Sequence, residues 1–155
     1  MILSTCGDDD EKVKNKDKFS HIHDNTHWLE DDYDDEEYGF YVAKDYVLFY
    51  IDYFGGGINA ADDDYCMKIP LKDGEYSDWY GEKYLLDVLK NQGDTLLLQF
   101  VIGDNNDAYF DSGEMELVVT GSILRMNYYY IEEDGSFDKE FFGSWIKSDG
   151  EVTDC

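Results

Sequence analysis

Thr95-Leu-Leu-Leu-Gln-Phe-Val-Ile102, Glu114-Met-Glu-Leu-Val-Val-Thr120 and Ile123-Leu-Arg-Met-Asn-Tyr-Tyr-Tyr-Ile131 are three β-prone runs in close succession, and their reading decides the fold. The first is almost continuously apolar, the pattern of a strand covered on both faces. Gly121-Ser122 separates the second from the third, a two-residue link of the kind tight hairpins use. Three strands in this arrangement make a β-meander, and flanking strands must supply the remaining walls of its core. The expected fold is mainly antiparallel β, as a meander, open sheet or small barrel, with one α-helix; α+β is the alternative label.

Upstream, Phe40-Tyr-Val-Ala43 and Tyr46-Val-Leu-Phe-Tyr-Ile-Asp-Tyr-Phe54 alternate aromatic with small or polar residues, and Lys44-Asp45 supplies a turn between them. Two strands are expected. Gly55-Gly-Gly57 ends the second; a phosphate cradle would need a helix N-terminus and usually a lysine after it, and Asp62-Asp-Asp64 follows instead. Tyr65-Cys-Met-Lys-Ile-Pro70 is a short strand whose proline places it at a sheet edge or a strand end. After the Asp73-Gly74 turn, Tyr80, Tyr84, Leu85, Val88 and Leu89 recur at helical spacing. The spacing predicts a helix over about residues 79–92, capped by Ser77 or Asp78 and stopped by Gly93. Downstream, Asp134-Gly135 turns the chain into a last strand, Phe137–Ile146, and Asp149-Gly150 begins the tail. Meander strands, glycine turns and a late tryptophan resemble the small lipocalin-like β-barrels of lipoproteins, a likeness of pattern alone.

Thirty-seven acids against 12 lysines and arginines give 155 residues a net charge of -25. Phosphate binding needs cationic side chains that displace counterions, so nucleic acid is excluded as a partner. A basic protein surface or bound cations suit the charge, which also favours solubility by self-repulsion. Aromatic residues are abundant, at 17%, and disordered acidic chains lack them, so most of the chain folds. Residues 1–37 hold 13 acids and 4 lysines, leaving 24 acids and 8 bases for residues 38–155. The division expected is an acidic flexible tether over 1–37 and a single β-rich domain over 38–155. No apolar run reaches the roughly 18–20 residues of a membrane span.

Within the tether, His21-Ile-His-Asp-Asn-Thr-His27 contains every histidine of the protein. A loop would gather His21, His23 and His27, with Asp24 as a fourth ligand, around zinc or another late first-row metal. A solvated polar segment is the simpler reading. Gly103-Asp-Asn-Asn-Asp-Ala-Tyr-Phe-Asp-Ser-Gly-Glu114 resembles a calcium-binding EF-hand loop. Asn105, Asp107, Asp111 and Glu114 stand at its ligand positions 3, 5, 9 and 12, which makes Ca²⁺ the cofactor to consider. Gly103 replaces the first aspartate and Ala108 the turn glycine, and strands are expected on both sides, as in a polar hairpin loop.

Leu3-Ser-Thr-Cys6 followed by Gly7-Asp-Asp-Asp-Glu11 resembles the lipobox and acidic export signal of Bacteroidota-type surface lipoproteins. The resemblance covers about ten residues and implies lipidation at Cys6. The charged start and apolar stretch of roughly 7–15 residues that precede a lipobox are missing from the chain as written. An upstream signal sequence implies the outer-membrane surface; without one the cytoplasm is expected. Three cysteines are an awkward number in an oxidising compartment. With Cys6 lipidated, Cys66 and Cys155 are left to form one disulfide.

No G-x-S-x-G elbow, H-E-x-x-H pair or P-loop is present, and the body beyond residue 37 has no histidine to serve as a general base. With 37 acids, any pair of carboxylates can be found, so pairing carries no information. The sequence therefore predicts a non-enzymatic acidic binding or accessory protein, lipid-anchored, with an unknown protein or glycan ligand. The alternative is a soluble acidic inhibitor, an immunity protein or DNA mimic, that blocks a basic nuclease or nucleic-acid-binding partner.

Overall fold

Alternating patterns become strands wherever one face of the pleat can be buried. The structure, a computed structural model, describes residues 16–30, 37–52, 65–77, 81, 83–102, 112–131 and 136–149. Within them lie a short helix α1 (Phe19–Ile22) and strands β1 (Thr26–Glu30), β2 (Glu37–Val42), β3 (Tyr46–Asp52), β4 (Tyr65–Pro70), β5 (Gly74–Ser77), β6 (Lys83–Gln92), β7 (Thr95–Ile102), β8 (Gly113–Thr120), β9 (Ile123–Ile131) and β10 (Phe137–Ser148).

All neighbouring strands pair antiparallel, in the order β4-β3-β2-β1-β10-β9-β8-β7-β6-β5. The expected meander therefore runs in two arms, joined where β1 meets the last residues of β10, His27 opposite Ser148 and Glu30 opposite Trp145. The two edge strands, β4 and β5, are consecutive in sequence and linked only by Leu71–Asp73. That short link keeps the edges together and bends the sheet into a nearly closed, mainly antiparallel barrel. Pro70 ends edge strand β4, where its missing N–H breaks no ladder bond.

Inward residues fill the barrel. Trp28, Phe40, Phe49, Phe100, Tyr128 and Trp145 are almost wholly buried and belong to one cluster with Leu, Ile, Val and Met from β2, β3, β4, β6, β7, β8 and β9. Burying each such side chain contributes roughly 1.5–3 kcal/mol, so the interior is the main source of stability. Gly113 is required by this packing: a Cβ there would stand 2.5 Å from the Tyr129 carbonyl oxygen and 2.6 Å from the Tyr128 ring.

Three expectations need correction. The helix over 79–92 is strand β6, in which Tyr84, Leu86 and Val88 point inward while Leu85 and Leu89 are half exposed. A bulge between Val88 and Lys90 shifts the register against β7. The extra residue breaks the period of two and imitates helical spacing, while pairing with β7 decides the outcome. The tether ending at residue 37 is also overturned for residues 16–30. Phe19 and Trp28 are core residues, and β1 is a central strand between β2 and β10. Finally, β7 is covered on one face only: Leu96, Leu98 and Phe100 are buried, but Val101 is 42% exposed.

The two ends of the barrel

Strands β1, β3, β5, β7 and β9 finish at one end of the barrel, where β2, β4, β6, β8 and β10 begin. The opposite end carries α1 and connections of only two or three residues, 43–45, 71–73, 93–94 and 121–122. At the first end the connections are 31–36, 53–64, 78–82, 103–112 and 132–136, five to twelve residues each. They carry five, three, two, three and three acids respectively, sixteen in all, and no lysine or arginine. The barrel thus has an acidic loop end and a helix end.

Just inside the loop end the wall is tyrosine. Tyr65 starts β4, Tyr76 lies near the finish of β5, Tyr84 near the start of β6, and Tyr128 and Tyr130 among the last residues of β9. The Tyr76 and Tyr84 rings stack with centroids 5.8 Å apart, and those of Tyr128 and Tyr130 meet at 4.9 Å. Carboxylates attract cations at long range. Tyr65, Tyr76, Tyr84 and Tyr128 are buried in the core, so at this end the charge lies in the sequence of the connections and the aromatic rings serve the packing.

The helix end is built differently. Ser20 N–H donates to Asn91 Oδ1 (3.1 Å), Asn91 Nδ2 returns a bond to Ser20 Oγ (3.3 Å), and Gly93 N–H donates to the Asp17 carbonyl (2.7 Å). These contacts dock α1 on the β6–β7 hairpin, and Phe19 is fully buried beneath it. Beside the dock, Asp17, Lys18, Leu89, Lys90, Asn91 and Gln92 line a polar groove of about 360 Å³.

The histidines lie at or near this end but do not converge. His23 Nε2 meets Asp94 Oδ1 at 3.2 Å, and its ring packs 4.7 Å from Phe19. His27 Nε2 meets the Tyr50 hydroxyl at 2.5 Å on the outer face of the sheet, while His21 sits on α1. The pairing of His23 with Asp94 and of His27 with Tyr50 contradicts a shared site for His21, His23 and His27. Among the described residues, no group of three or more His, Cys, Asp or Glu side chains is placed to hold a metal ion. Burial is the main influence on His23 and lowers its pKa below the ordinary imidazole value; the hydrogen bond and charge of Asp94 pull upward, and Lys147 pushes down.

Of the EF-hand-like set, Asn105, Asp107 and Asp111 lie outside the described residues. Glu114 is in β8, where its Oε1 accepts a 3.4 Å bond from Gln99 Nε2. Strands β7 and β8 flank the segment. Cys6 and Cys155 also lie outside the described residues. Cys66 faces outward on β4, is buried with Leu48 and Tyr50, and is disulfide-bonded. With three cysteines in the chain, its partner is Cys155 or Cys6.

Sequence reasoning missed the His27–Tyr50 pair and the docking role of Asn91. Neither has a local signature, because their partners are 23 and 71 residues away. Among the described residues, no helix is long and apolar enough to cross a membrane. No protein-family model matches the chain, and no curated protein or solved structure is detectably similar to it.

Proposed function

We propose that this protein is a non-enzymatic binding or accessory barrel that engages a basic protein surface through its acidic loop end. One observation carries the reading: the strands that bound all five long connections begin and finish at that end, and those connections hold sixteen acids without a single base in their sequence. Charge of one sign gathered on one surface speeds encounter with an oppositely charged partner.

Two settings fit this binding mode. In the first, Cys6 carries lipid and the barrel is a surface lipoprotein, supported by Leu3-Ser-Thr-Cys6 and its acidic successor. In the second, the barrel is a soluble inhibitor that covers the basic site of a nuclease or nucleic-acid-binding protein. The mass of the native N-terminus separates them: a diacyl- or triacyl-modified Cys6 as first residue supports the lipoprotein, and an unmodified Met1 supports the inhibitor.

The binding mode itself is tested with polylysine as a defined basic probe. Replacing Asp31, Asp32, Asp34 and Asp35 by Asn is expected to slow association about tenfold or more at low salt, with the difference shrinking as salt rises. A control variant neutralises the helix-end Asp17, Asp45, Asp73 and Asp149. Equal losses in the two variants would sink the assignment to the loop end.

A further inference from the structure

We infer that α1 is an acid-released plug: protonation of His23 undocks the helix from the end of the barrel while the sheet stays formed. The plug is small and its contacts are few. Phe19 and Ser20 are its buried residues, and it is held by the Ser20–Asn91 pair, the Asp17–Gly93 backbone bond and the His23–Asp94 contact. The strands beneath are held by continuous antiparallel ladders, so local release of α1 requires far less than unfolding the barrel.

His23 is the point where proton binding acts on this dock. Its side chain is 11% exposed, and its ring lies 4.7 Å from that of Phe19 and 6.3 Å from that of Trp28, centroid to centroid. Both neighbours are apolar rings, so a positive charge there loses most of its hydration. The charged groups around it are Asp94 from the β6–β7 turn and Lys147 from β10; β1 contributes Trp28 at this point. Asp94 favours the imidazolium, but its carboxylate is 67% exposed and therefore screened, while Lys147 opposes it. Asp17 and Lys18, on the segment leading into α1, are solvent-exposed.

The sign follows from linkage. Docked His23 has a lowered pKa, and undocked His23 regains its ordinary value of about 6.5, so the undocked state binds more protons. The docked state is therefore fully favoured above about pH 6.5 and loses ground as the pH falls from there toward the docked pKa. Release frees Phe19 from its seat in the core cluster and detaches the segment that precedes β1.

The test is amide hydrogen exchange on the full chain at pH 7.5 and 5.0, corrected for the intrinsic pH dependence of exchange. Ser20 and Gly93 are the reporters, because their amides donate across the dock from opposite sides. Their protection is expected to fall about fivefold or more at pH 5.0, while that of Leu98 and Leu117 in the sheet holds. His23→Gln, which keeps a hydrogen-bonding group but cannot take a charge, is expected to flatten the response. Asp94→Asn, which removes the carboxylate favouring the imidazolium, is expected to enlarge it. Unchanged protection of Ser20 and Gly93, an equal fall in His23→Gln, or a parallel loss at Leu98 and Leu117 would each overturn the inference.

Discussion

Tyr50 lies across Gly39, its partner on the neighbouring strand, so closely that a Cβ on Gly39 would overlap the phenol ring. The same phenol hydroxyl reaches His27 Nε2 at 2.5 Å, so one missing side chain on β2 makes room for a contact between β3 and β1. Gly39→Ala must displace a ring that is 5% exposed, and we expect it to destabilise the protein by about 1–3 kcal/mol in urea unfolding. A change below a few tenths would mean that the ring swings aside freely.

Tyr50→Phe removes the hydroxyl and leaves His27 without that bond in a buried setting. The expected loss is about 1–3 kcal/mol. Combined with Gly39→Ala the two losses should fall short of additivity, because the alanine already disturbs the bond that the phenylalanine deletes. Simple addition would show that Gly39 and the hydrogen bond act independently.

The β6 register makes opposite forecasts for adjacent leucines. Leu85 and Leu89 are 50% and 49% exposed, so Leu85→Lys and Leu89→Lys should each change stability by about 0.5 kcal/mol or less. Leu86 is fully buried, and Leu86→Ala should cost about 2–5 kcal/mol. A helix over these residues would bury Leu85 and Leu89 instead, and the same three melts would then rank the other way.

Reduction of the Cys66 disulfide should lower stability by about 2–4 kcal/mol, read as a fall in the urea midpoint with reductant. Peptide mapping under non-reducing conditions should join Cys66 to Cys155, the pairing that leaves Cys6 for lipid. A Cys6–Cys66 peptide would exclude lipidation of that molecule at Cys6.

How much of this was legible in the chain depends on how local each signal is. Thr95–Ile102, Glu114–Thr120 and Ile123–Ile131 appear as strands at or within a residue of the expected bounds, and Gly121-Ser122 turns between the last two. Their β-branched and aromatic composition, and the positive φ of Gly121, are properties of the residues themselves. Mainly antiparallel β architecture followed from these runs. The absence of bases from the long connections is likewise a property of the sequence, which by itself does not say that the strands bounding them share one end.

Tertiary structure decided the rest. Residues 83–92 became a strand because β5 and β7 pair with them, and the Val88/Lys90 bulge had disguised the period. Thr26–Glu30 became a central strand because β2 and β10 close on both sides, although its charged surroundings showed little pattern. The histidines parted because β1 and the segment leading into it carry His27 to Tyr50 and His23 to Asp94. Composition and periodicity fix what a segment can bury; which segment it buries against is settled only when distant strands meet, and that is where the two ends of this barrel acquire their different chemistry.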